Sequence, residues 1–223
     1  MPLFPGDSFQ VPTLIKTTLD DSDYVLLVDP TGTLCKITKA NFLASLSSAD
    51  DNATSKTYVS VGDNNGIFYF IGTSEDTSSW VNPTSNGLII QSSSIGSGSV
   101  NSLVDRSNSS FYTNSDPNSF VSFFLGGTRQ LKCNYYTIKT RADSSDYYPR
   151  NWNLQGSNDG STWVDLDIQI NNTALNSTNQ WLALPVSSDV AYSYFRIYTT
   201  GDNSAGYRHL VLGEVELYGK YSA

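Results

Sequence analysis

From Tyr58 onward, short apolar runs alternate with polar stretches rich in Gly, Asn, Ser and Asp. The runs at 67–71, 87–91, 120–125, 134–140, 151–156, 163–168, 194–200 and 214–218 each have the length of a strand. They are filled with β-branched and aromatic side chains that suit a pleated, half-buried surface. About eight such strands joined by polar loops predict an all-β fold, an antiparallel β-sandwich of the jelly-roll kind.

Residues 1–48 are patterned differently. Two apolar runs, Tyr24–Val28 and Leu34–Ile37, flank Asp29-Pro-Thr-Gly-Thr33, whose Pro and Gly suit a hairpin turn. Thr38 can N-cap a short helix reaching Leu46, with Phe42, Leu43 and Leu46 on one face. A hairpin plus one helix buries too little to stand alone, so this module is expected to dock on a partner or on copies of itself. The polar, aperiodic segment that follows reads as a linker. The expected division is an anchoring module at 1–48, a linker at 49–57 and a sandwich at 58–223.

Composition narrows the function. The formal net charge is -8 and the pI about 4.4, which disfavours nucleic acid and anionic membranes as partners. No apolar stretch approaches the roughly 20 residues needed to cross a bilayer, so no membrane insertion is expected. The opening MPLFPGDSFQ lacks a basic segment followed by an apolar run, so no signal peptide is expected either. Cys35, Cys133 and the single His209 cannot supply the four ligands of a zinc site. The cysteines are expected to be buried free thiols, with a mutual disulfide as the alternative. One histidine leaves no serine-type triad, and Glu214 and Glu216 share a face of the last strand, whereas glycoside hydrolysis needs two carboxyls opposed across a cleft. The expectation is a protein that is not an enzyme, with no catalytic residues.

The segment WNLQGSNDGSTW, residues 152–163, sets Asn158-Asp159-Gly160 between two apolar-patterned arms. It reads as a hairpin turn between two core tryptophans, with Asp159 as a metal ligand in the alternative.

Several segments in order, YTIKTR (136–141), PRNW (149–152), LQGSNDGSTW (154–163), YFRI (194–197) and LGEVELYG (212–219), resemble the discoidin family. That family is also called coagulation factor 5/8 type C, or galactose-binding-like, and the resemblance covers roughly residues 63–220. It implies a jelly-roll sandwich, usually a non-catalytic module, that recognises glycans, phospholipid head groups or proteins through loops at one end. The implied binding loops are 72–86, 141–151 and 201–209. They carry Trp80, Asp146, Tyr147, Tyr148, Asn203, Tyr207, Arg208 and His209 as ligand-binding candidates. Aromatic faces stack on sugar rings while planar polar groups bond the hydroxyls. The resemblance also implies a structural calcium on Asp105, Asn108, Ser110 and Glu214. Arg106 departs from the pattern, standing where the family often has Gly. The alternative is that Asp105 pairs with Arg106 or caps a turn.

A second resemblance lies upstream. DDSDYVLLVDPTGT (20–33) followed by KITKANFL (36–43) is similar to attachment segments of bacteriophage tail-fibre and virion structural proteins. It implies a virion appendage made without a signal peptide. Its sandwich would bind a host cell-surface glycan, and its N-terminal module would dock on other virion or tail proteins or form a homo-oligomer, a trimer by preference. The alternatives are a structural adaptor within a tail or baseplate, and a cellular adaptor with no virion link.

Overall fold

The computed structural model describes residues 53–143 and 146–223, together with the strands at 24–28 and 34–38. The chain divides into two compact units, Met1–Asn52 and Ala53–Ala223. In the first, β1 (Tyr24–Val28) and β2 (Leu34–Thr38) pair antiparallel from Val28↔Leu34 to Tyr24↔Thr38, as the two apolar runs predict. The helix expected after Thr38 falls outside the described residues.

The second unit is an antiparallel sandwich. One sheet has the order β10 (Trp181–Pro185), β7 (Gln130–Lys139), β13 (Glu214–Ser222), β3 (Thr54–Lys56). The other runs β4 (Ile89–Ser92), β6 (Phe120–Phe124), β11 (Tyr194–Thr199), β8 (Trp152–Ser157), β9 (Val164–Gln169). A short pair, β5 (Phe111–Tyr112) with β12 (Val211–Leu212), closes one end. Period-2 alternation sends Val121 and Phe123 of β6 and Phe195 and Ile197 of β11 inward. They meet Trp152, Tyr136 and Leu217 in one continuous core. Burying a large apolar side chain contributes about 1.5–3 kcal/mol, so the interior supplies most of the drive to fold. Cys133 is a free thiol inside it, and burial pushes its pKa up to about 12, which leaves it unreactive.

Three expectations need correction. The run Ile67–Ile71 is not a strand but the start of α1 (Ile67–Gly72). Its first amides are held from a distance: Glu216 on β13 accepts from Phe68 N at 2.8 Å and Tyr69 N at 3.1 Å. A five-residue apolar run carries no period of its own, so a tertiary cap decides its form. Gly66, just before α1, is required because any Cβ there would overlap the Glu216 side chain. Second, part of the expected linker is sheet, because β3 pairs Thr54–Lys56 with Gly219–Tyr221 at the edge of β13. Third, only Trp152 is a core tryptophan. Trp163 is half-buried on the outer face, with the Arg196 guanidinium 4.2 Å from its ring.

The turn between them behaves as read. Asp159 Oδ1 accepts from Ser161 N at 2.8 Å and Thr162 N at 2.6 Å, and Gly160 has φ +69. Those amide bonds, with the Ser157 hydroxyl, hold the Asp159 carboxyl well below its ordinary pKa. The acceptor capacity of Oδ1 is spent on the turn.

Candidate functional site

At one end of the sandwich the loop after β7 and the loop after β11 are laced together. Tyr148 N donates to Ser204 Oγ at 2.9 Å, Ser204 N to Tyr148 O at 2.9 Å, and Asn151 Nδ2 to Asp202 O at 2.8 Å. Asn203 ties the second loop to itself: its Oδ1 accepts from Ala205 N and Tyr207 N while its Nδ2 donates to His209 O. Asn203 and Tyr148 are buried, and this scaffold lifts Tyr147, Tyr207 and His209 to the surface.

Those three rings form a triangle. Centroid separations are 5.8 Å for Tyr147–Tyr207, 5.8 Å for Tyr147–His209 and 5.7 Å for Tyr207–His209. Tyr112 of β5 adds an edge contact 6.0 Å from His209, and the Arg141 guanidinium lies 5.5 Å from the Tyr112 ring. A cavity of about 210 Å³ opens between Tyr112, Arg141, Tyr147, His209 and Val211. Arg141 is aimed by Asp143, which accepts from it at 2.7 and 3.1 Å, and this pairing pulls the Asp143 pKa down to about 2. His209 Nδ1 lies 2.7 Å from Thr113 O. A carbonyl only accepts, so Nδ1 donates to it and Nε2 is the ring nitrogen left for another partner. Tyr147 has φ +68, a left-handed backbone that a bulky residue pays about 1–2 kcal/mol to adopt.

Of the ligand-binding residues expected from sequence, the structure brings together Tyr147, Tyr207 and His209. It puts Tyr148 and Asn203 beneath them as supports. Asp146 is exposed, and Arg208 is engaged by Asp202 at 2.6 Å. Trp80 is elsewhere, packed beside Gly72 and lining a different cavity. Tyr112 and Arg141 were not among the expected residues, although Arg141 closes the YTIKTR segment.

That other cavity, about 150 Å³, lies against the four-stranded sheet between Tyr69, Trp80, Arg106, Lys139, Trp181 and Glu214. Glu214 is 5% exposed, and its Oε1 has no protein partner. Burial, reinforced by the Asp105 charge and opposed by Lys139, pushes its pKa up to about 8. Burial likewise raises Glu216 to about 7 against the pull of the Phe68, Leu217 and Tyr69 amides. Lys139 Nζ donates to Asn108 Oδ1 at 2.9 Å and lies 5.5 Å from the Trp181 ring. Arg106, at φ +58, donates to Gly62 O at 2.9 Å, Asp63 O at 3.2 Å and Asn64 Oδ1 at 2.8 Å.

The profile of the F5/8 type C domain matches residues 89–211, more than half of the chain. The chain belongs to the F5/8 type C family. Among curated proteins, this F5/8 type C chain is similar to a BTB/POZ domain-containing protein of Arabidopsis thaliana, 32% identical over 179 residues. That match takes in 74% of this chain and 22% of the plant protein. It is also similar to the E3 ubiquitin-protein ligase Ufd4 of Drosophila melanogaster, 30% identical over 167 residues, with 71% of this chain and 6% of the ligase covered. The chain therefore spans only a small part of the length of these relatives. Among solved structures, the CBM32-3 module of a family 31 glycoside hydrolase from Clostridium perfringens shares the fold. Its TM-score is 0.50 at 14% identity, over 60% of this chain and 92% of that one.

The calcium implied by the F5/8 type C resemblance does not fit the residues present. Calcium takes about 6–8 oxygens. Here Asn108 accepts from Lys139, the Ser110 hydroxyl donates to Asp143 at 2.9 Å, and Asp105 accepts from Ser107 N at 2.9 Å, capping a turn. Among the described residues no three His, Cys, Asp or Glu side chains converge. Two side-chain cations, Arg106 and Lys139, stand among the expected ligands instead, and Arg106 reaches the 62–64 carbonyls rather than Asp105.

Proposed function

We propose that this domain is a non-catalytic binding module that holds a cell-surface glycan on the Tyr147–Tyr207–His209 triangle. The observation that carries this reading is the combination at one mouth of three aromatic rings, the Arg141 guanidinium and the His209 Nε2. Ring faces take the apolar C–H face of a sugar, while Nη1 of Arg141, the nitrogen Asp143 leaves unpaired, donates to a hydroxyl oxygen and the imidazole Nε2 bonds a hydroxyl, which can both donate and accept. The shared fold of the CBM32-3 module is consistent with that use. Single-site affinity of this kind is weak and gains from several copies on one particle. A glycan array probed with residues 53–223 tests it: binding to a defined sugar class, reduced about three- to tenfold in Tyr207→Ala, is expected. An array without signal sinks the reading.

The setting we propose is a virion appendage, on the strength of residues 20–43 alone, with 1–48 as a docking or trimer-forming module. Deleting 1–48 should abolish oligomerisation and particle incorporation; unchanged oligomers would overturn that assignment. A second reading, an adaptor whose loops grip protein, is favoured by the relatives, in which the matched region is 6–22% of much longer chains. Binding to a protein partner with a silent glycan array would select it.

A further inference from the structure

We propose that the cavity between Trp80, Lys139, Trp181 and Glu214 is a second ligand site, one that takes a single uncharged pyranose unit. This deepens the glycan reading and rests on it for the ligand class.

A carboxyl oxygen buried without a donor is costly, so such a group in the wall of a cavity asks for a partner from outside the chain. Glu214 Oε1 is such an atom, on a side chain only 5% exposed. The indole N–H of Trp80, another wall of the cavity, also lacks an acceptor. A carboxyl oxygen and an indole N–H, each without a partner in the chain, are the complement of hydroxyl groups, which both donate and accept.

The charges argue against an ionic ligand. Asp63 is taken up by the amides of Val59, Ser60 and Asn65, and Glu216 by those of Phe68, Tyr69 and Leu217. Arg106 is spent on the 62–64 segment. What remains around Glu214, itself uncharged at neutral pH with its pKa at about 8, is the Asp105 carboxylate and the Lys139 ammonium, one acid and one base, with no net charge to recruit an ion. The cavity, about 150 Å³, has room for one six-membered ring. The Trp181 and Tyr69 rings supply apolar faces for the C–H side of that ring. Arg106, Ser107 and Asn108 are exposed and form its open rim.

Trp80 and Trp181 make the site self-reporting. Tryptophan emission would be followed during titration of residues 53–223 with galactose, N-acetylgalactosamine, fucose and glucose, in wild type, Tyr147→Ala/Tyr207→Ala and Glu214→Gln. The expected result is a saturable emission change that persists in the tyrosine double variant and weakens about tenfold in Glu214→Gln. Trp181→Phe should remove most of the signal, which keeps the test valid if Glu214→Gln folds poorly. If the double variant loses all sugar binding and Glu214→Gln loses none, the second site is wrong and the triangle stands. If Glu214→Gln alone loses binding, the second site stands and the triangle is wrong. Acetamide producing the emission change while every sugar fails would overturn the sugar assignment and point to a peptide carboxamide.

Discussion

Tyr147 shows how one residue links strain to use. Its left-handed backbone is costly for a bulky side chain, yet that conformation turns the ring toward Tyr207 and His209. Tyr147→Gly should therefore melt no lower than wild type while binding glycan at least about threefold more weakly, a split read by calorimetry and array signal. Trp152 is the opposite case. It is fully buried, and its indole donates to Tyr136 Oη at 2.9 Å, which in turn donates to Asp167 at 2.6 Å. Trp152→Ala should cost about 3–5 kcal/mol in urea unfolding. The sequence pattern made both Trp152 and the loop tyrosines visible, because a tryptophan before an alternating strand and aromatics in a polar loop are local signals. Arg141 and Tyr112 were not visible, since they lie far apart in sequence and meet only in the fold.

At the scale of elements, the strands with alternating apolar positions were legible and those without were not. β3 is Thr-Ser-Lys, and β10 ends on Pro185, so neither carries a period. α1 was misread because its cap lies 148 residues away in sequence. Glu216→Ala removes the acceptor from three amides and should lower the melting temperature sharply. Glu216→Gln, which keeps one acceptor, should recover part of the loss. Glu214 gives a pH signature of definite sign. Unfolded, it titrates near 4.5; folded, near 8. Between those values the folded chain holds more proton, so the stability this group contributes is complete below the lower value and lost as pH climbs through the upper one. Glu214→Gln should melt with wild type at about pH 5 and about 10 °C above it at about pH 9.

For the whole molecule, the boundary matters more than composition suggests. Because β3 is a strand of the sandwich, residues 53–223 should unfold as one cooperative unit. A fragment starting at 58 loses an edge strand and should melt lower, by about 3 °C or more. The fixed cations Arg106 and Lys139 lead to a second expectation at this scale. Millimolar calcium or a chelator should shift the melting temperature by less than about 1 °C, whereas a calcium-dependent rise of several degrees would contradict the geometry.

The pairing of β3 with the end of β13 has one more consequence. Thr54 lies opposite Tyr221, so the path into the sandwich and the path out of it are neighbours, about 5 Å apart across a ladder. A domain with such adjacent portals can be spliced into an exposed loop of a host protein without prising the host's ends apart. Grafted between two halves of a split fluorescent reporter, residues 53–223 should let the halves close when folded and part them when unfolded. The sandwich would then serve as a transplantable hinge pin whose state is read as light.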